Sequence, residues 1–151
     1  NGLKMMIDGE TLYGDAIRIV PVAMLAQDME TAMEFGVALS KLEGNVVLIA
    51  STDLTHYEAQ ESAAHKDNTV VDAIRQLDVA EMYRTIGAEE CSMCGFGPVA
   101  AVVHAARLRG ATKTEVLKYA TSGDVIGDYS RVVGYASVAL LREASAGPAG
   151  L

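Results

Sequence analysis

Five apolar residues in a row, Val46 to Ala50, give way abruptly to Ser51-Thr52-Asp53-Leu54-Thr55-His56-Tyr57. The run predicts a strand over 46–51, buried in a parallel sheet. The polar residues then fall past its carboxyl end, where open α/β sheets bind their ligands. Upstream, residues 16–25 (AIRIVPVAML) read as a second strand, with Pro21 marking an end or an edge. Between the two, Met29, Met33 and Val37, together with Ala32, Phe35 and Leu39, recur at helical spacing. They predict an amphipathic helix over 27–42, stopped at Gly44. Strand, helix and strand in this order make a right-handed βαβ crossover.

Beyond Tyr57 the pattern alternates between helix and strand. Val70, Val71, Ile74 and Leu77 give a buried face to a helix over 60–77. Asp78 suits the N-cap of a helix over 79–87, with Glu81 as capping-box partner. Residues 89–97 (EECSMCGFG) read as a loop. Pro98 fits a first helical turn, and an apolar helix over 99–108 closes at Gly110. A strand over 114–120, a glycine-bearing loop over 121–130 and a last strand over 131–141 complete the pattern. Residues 1–11 and 144–151 are expected to be irregular. The whole reads as one α/β domain without internal repeats.

Composition narrows the partners. The 151 residues are 50% hydrophobic but only 5% aromatic, without tryptophan, so the core must be aliphatic. Twelve basic against twenty acidic residues give a net charge of −8, which argues against nucleic acid and anionic membrane as partners. No apolar stretch approaches the roughly 20 residues of a membrane span. Lys4, Asp8 and Glu10 break any leader-like pattern, and two cysteines do not make a disulfide framework. A cytoplasmic protein with reduced thiols is expected.

Two places carry candidate chemistry. Asp53 and His56 stand three apart after the 46–51 run; a carboxylate there can orient an imidazole that moves a proton near neutral pH. The plainer alternative is a turn cap beside a solvated histidine. Cys91-x-x-Cys94 lacks the second pair of a zinc site, but Cys94 directly precedes the predicted helix entry Gly95-Phe96-Gly97-Pro98. That position suits an anionic sulfur, as ligand or nucleophile; an ordinary buried cysteine is the alternative. His104 reads as a core or interface residue, His65 as solvated, and the methionines as core filler. Thr121, Ser122, Asp124 and Asp128 fit either a polar-ligand loop or a turn with local hydrogen bonds.

Four blocks together are more specific than any one of them. They are Ser51-Thr52-Asp53-Leu54-Thr55-His56-Tyr57, Met93-Cys94-Gly95-Phe96-Gly97-Pro98-Val99, Tyr119-Ala120-Thr121-Ser122-Gly123-Asp124 and Val133-Gly134-Tyr135-Ala136. In this order, with the Ile17-Arg18-Ile19-Val20-Pro21-Val22 segment, they resemble the MEMO family, which includes the proteins called AmmeMemoRadiSam system protein B. The resemblance implies a mixed, largely parallel central sheet flanked by helices, similar to class III extradiol dioxygenases. It also implies a cleft where histidines and one cysteine hold iron or copper. By position, Cys94 matches the cysteine ligand, His56 the histidine of the Asp-x-x-His block, and Asp53 its acidic neighbour. Ser51, Thr52, Tyr119, Ser122 and Asp124 lie in the same blocks and are candidates for substrate contact. The family's other two metal-binding histidines belong to an N-terminal half, whereas no histidine precedes His56 here. The chain thus resembles a C-terminal half, with an incomplete ligand set. Association with the missing half, or self-association, is expected, and the resemblance adds radical SAM and AMMECR1-type proteins as partners.

Three functions compete on this reading. One is a metal-linked, redox-type site in which Asp53 and His56 relay protons. Another is a protein- or peptide-binding module that uses an exposed apolar face. A third is nucleophilic catalysis by Cys94, activated by His56 and oriented by Asp53.

Overall fold

A computed structural model describes residues 19–143. The expected irregular ends and residues 16–18 of the first predicted strand lie outside the described residues.

The helices form where periodicity and caps agree. Helix α1 is Met29–Ser40, and the Asp28 carboxylate accepts the Thr31 N–H at 2.9 Å at its start. Strand β1 is the short His56–Glu58. Helix α2 is Gln60–Arg75 and helix α3 is Val79–Ala88. Asp78 caps α3 by accepting Glu81 N–H at 3.0 Å. Only half of the expected capping box forms, because the Glu81 carboxylate turns to Thr85 and Arg84 instead. Helix α4, Phe96–Leu108, begins earlier than the sequence suggests and holds Pro98 in its first turn. Strand β2 (Lys113–Thr121), the short helix α5 (Gly123–Ile126) and strand β3 (Val132–Leu141) follow.

The sheet departs from expectation. Its three strands run in the order β1-β3-β2, and both pairings are antiparallel. The predicted strands over 114–120 and 131–141 are present, as the hairpin-like pair β2 and β3. The parallel sheet and the βαβ crossover are absent among the described residues. Residues 46–50 form no strand, and the described part of 16–25 is irregular as well. The physical reason is the want of neighbours. An apolar run becomes a central strand only when another strand satisfies its backbone and layers cover both faces. Val47 and Ile49 are 80% and 71% exposed, and no strand among the described residues pairs with them. Only from Leu54 onward does this segment meet β3: Leu54 N–H donates to Gly134 O and Gly134 N–H to Thr55 O, each at 2.9 Å.

The aliphatic core gathers Val70, Val71, Ile74 and Leu77 of α2 and its C-terminal turn, Met82 of α3, and Val99 and Val103 of α4. Met82 and Met93 are core filler as expected, whereas Met29 is 41% exposed. His104 is half-buried beside Gly36 of α1. No described helix is long and apolar enough to cross a membrane. The molecule is thus a mixed α/β structure, and its packing brings the 52–56 segment against the loop that leads into α4.

Candidate metal centre

Two loops meet edge to edge. The Thr52 hydroxyl oxygen accepts the Gly95 N–H at 2.8 Å and caps α4 from outside its own sequence. The Asp53 N–H points at Cys94 Sγ, 3.3 Å away, and the Cys94 N–H donates to Asp53 O at 3.4 Å. Gly95 admits this approach because a Cβ there would lie 2.8 Å from Thr52 Cβ. Gln27 closes the far side. Its amide donates to Cys94 O at 3.1 Å and its carbonyl oxygen accepts Gly97 N–H at 2.9 Å.

His56 is set by Ser92. The His56 backbone N–H donates to Ser92 Oγ at 2.8 Å, and ring Nδ1 lies 2.9 Å from Ser92 O. A carbonyl oxygen only accepts, so this contact assigns the proton to Nδ1. In the neutral ring, Nε2 then carries a free lone pair. Nε2 lies 3.6 Å from Asp53 Oδ2. One ligand atom each from Asp53, His56 and Cys94 lies within 4.8 Å of the others.

Two acceptors this close can share a bridging water or a cation. The donor set fits a metal ion. Around an ion with bonds of ~2.1 Å, tetrahedral ligand atoms stand about 3.4 Å apart, close to the observed His–Asp separation. Nitrogen, oxygen and sulfur together suit a transition metal rather than magnesium or calcium. Three protein ligands would leave a fourth position open. The resemblance implies Cys94 and His56 as ligands with Asp53 as a neighbour; the structure gathers one ligand atom of each within 4.8 Å, a group that could hold a metal ion.

The two cysteines part company. Cys94 is exposed at this cluster, whereas Cys91 is buried with its sulfur 3.3 Å from Thr55 Oγ1. Burial pushes the Cys91 thiol up, which makes it a poor thiolate. The other candidate residues scatter. Ser51 is exposed and Thr52 stands beside Cys94, its hydroxyl 3.7 Å from the sulfur. Tyr119 O–H donates to Asp67 at 2.8 Å, and burial with that carboxylate raises the tyrosine's pKa. The Ser122 hydroxyl accepts the N–H of Val133 in β3 at 3.0 Å, a bond between distant segments, whereas the Asp124 carboxylate accepts Thr121 N–H at 2.7 Å as a local turn bond. Asp128 likewise bonds Ser130. His65 is 75% exposed, as expected of a solvated residue.

Gln27, Ser92 and Asp67 escaped the sequence reading. Gln27 bonds backbone groups of a distant loop, and Ser92 holds His56 through its hydroxyl and its carbonyl, contacts that no residue pattern announces. Asp67 did leave a signal: Ala63, Asp67, Val70, Val71 and Ile74 share one helical stripe, and an acid in a buried stripe marks a polar network.

The Memo-like protein family model matches residues 5–139. A MEMO1 family protein of Methanopyrus kandleri is 48% identical over 135 residues, which cover 87% of this chain and 48% of the relative. The MEMO1 family protein of Methanocaldococcus jannaschii is 49% identical over 124 residues, 80% of this chain and 43% of the relative. For Methanothermobacter thermautotrophicus the figures are 46% over 128 residues, 82% and 46%. The chain spans about half the length of these relatives. On the family match and these identities, the chain belongs to the Memo-like protein family.

Proposed function

We propose that this chain supplies the Asp53–His56–Cys94 face of an iron or copper centre that performs redox-type chemistry on a small substrate. The observation that carries the reading is that ligand atoms of three different residues gather within 4.8 Å, with His56 Nε2 3.6 Å from a carboxylate oxygen. Iron or copper held there would supply electron transfer at an open coordination position. The chain's own residues do the rest. Ser92 holds the imidazole in one tautomer through its carbonyl. Thr52 and Gln27 fix the backbone of the cysteine loop. The Asp53–His56 pair can pass a proton at Nε2 when the metal does not occupy it.

The reading extends to what completes the site. A cleft of about 700 Å³ opens between residues 46–50 and β3, lined by Val47, Ile49, Val103, Val138 and Leu140 among others. It would receive the remainder of the family's length, or a second copy, and extend the sheet toward the class III extradiol dioxygenase-like arrangement. Val20, Val22 and Leu25 add further exposed apolar side chains. Two free thiols suit a cytoplasmic setting.

The test is metal content of the purified, tag-free chain by elemental mass spectrometry, beside Cys94→Ala. Near-stoichiometric iron or copper that disappears in the variant supports the centre. Metal-free protein whose Cys94 reacts covalently with an electrophilic substrate analogue would favour the nucleophile reading. A metal-free, unreactive chain that still binds partners would favour the binding module.

A further inference from the structure

Asp67 is a carboxylate in the aliphatic core, 0% exposed. Both of its oxygens are committed. Oδ1 accepts the Thr55 N–H at 2.9 Å and lies 3.9 Å from Cys91 Sγ. Oδ2 accepts the Tyr119 O–H at 2.8 Å and rests on Gly134, where an added Cβ would fall 1.7 Å from it. Thr55 is held from its other side as well, since its carbonyl accepts the Gly134 N–H at 2.9 Å. One residue of α2 thus ties β2, β3 and the 91–94 loop onto Thr55, the residue directly before His56 and two after Asp53.

A buried charge is an expensive way to hold a core together. Apolar side chains of similar volume often replace buried ionic groups without loss of stability, and fixing one geometry is a use to which buried charge is put. Here the fixed group is a backbone N–H beside the site. We propose that Asp67 is the positioning residue of the Asp53–His56–Cys94 site: by clamping Thr55 it sets the backbone from which His56 reaches Ser92 and meets Asp53. Without the clamp the 53–56 turn can rotate about Thr55. The ring then loses its register with Ser92 O, and the three ligand atoms drift apart. The relation to metal rests on the proposed centre; the clamp itself does not.

The test compares Asp67→Asn and Tyr119→Phe with Val70→Ala, which trims an aliphatic side chain buried on the same helix. In the metal-free chain, the ring nitrogens of His56 are read by ¹⁵N NMR at one pH where the imidazole is neutral. Wild type and Val70→Ala should show the Nδ1-protonated tautomer. Asp67→Asn should show a mixture, with Tyr119→Phe between. An unchanged His56 spectrum in Asp67→Asn would overturn the proposal. Titration with Co²⁺ alone is the second measurement. Asp67→Asn should weaken binding by about 10- to 100-fold, the cost of losing an outer-shell support, while Val70→Ala stays near wild type. Equal losses in both variants would overturn the proposal, because general destabilisation would then suffice. A wild-type chain that binds no Co²⁺ would count against the metal centre and leave the NMR result to decide the clamp.

Discussion

Replacing Gly134 by alanine should be among the most damaging single-methyl changes in this chain. The new Cβ would lie 1.7 Å from Asp67 Oδ2, 2.8 Å from its Cγ and 3.3 Å from the Tyr119 hydroxyl. No rotation of a flexible tip relieves this, because both carboxylate oxygens already accept hydrogen bonds. The carboxylate must retreat, and either Thr55 N–H or Tyr119 O–H loses its partner. A lost hydrogen bond to a charged group costs about 1.5–3 kcal/mol. Crowding in a packed core adds about 1–3 kcal/mol. The expected loss is therefore about 2.5–6 kcal/mol, a large share of the roughly 5–15 kcal/mol of a typical domain. Urea denaturation followed by circular dichroism would measure it, with the wild-type m-value as control. In thermal melts the same loss lowers Tm by roughly 5 °C or more. A loss under about 1 kcal/mol would refute the reasoning, for it would mean that Asp67 has room to move.

Other expectations follow from local geometry. Asp78→Ala removes the acceptor for Glu81 N–H and should cost about 1 kcal/mol in chemical denaturation, the usual value of an N-cap. With a disulfide-type thiol reagent on the native chain, Cys94 should react fast and Cys91 only on unfolding; two fast thiols would contradict the assigned burial. Hydrogen bonds from Lys66 and Ser62 hold the Glu58 carboxyl below its ordinary value of 4.5. A depressed carboxyl stabilises the fold fully above that ordinary value, and the benefit fades as pH falls through the lower folded value. The stability gap between wild type and Glu58→Gln should therefore close as pH drops below 4.5; a gap that widens there would reverse the assignment.

The sequence disclosed what is local. Asp78 announces a helix start because a cap acts within three residues. Residues 60–75 read as a helix because its buried stripe repeats within each turn. Strands β2 and β3 also read correctly as strands, but their antiparallel register did not, since pairing depends on which distant segment lies alongside. Val46 to Ala50 shows the limit most clearly. Its composition is that of a buried strand, while its exposure depends on neighbours that five residues cannot encode. The site divides in the same way. Asp53 and His56 sit on one turn and were paired from spacing, and Cys94 stood out by its place before a helix. That all three ligand atoms converge is a property of packing, set by Thr52 on Gly95 and Asp67 on Thr55.

X-ray absorption at the metal edge of iron- or copper-loaded protein tests the central claim most directly. The account predicts a shell containing one sulfur at about 2.3 Å with nitrogen or oxygen at about 2.0–2.2 Å, and loss of the sulfur contribution in Cys94→Ala. A loaded wild-type protein whose metal shows no sulfur neighbour, or whose spectrum is unchanged by Cys94→Ala, would contradict it.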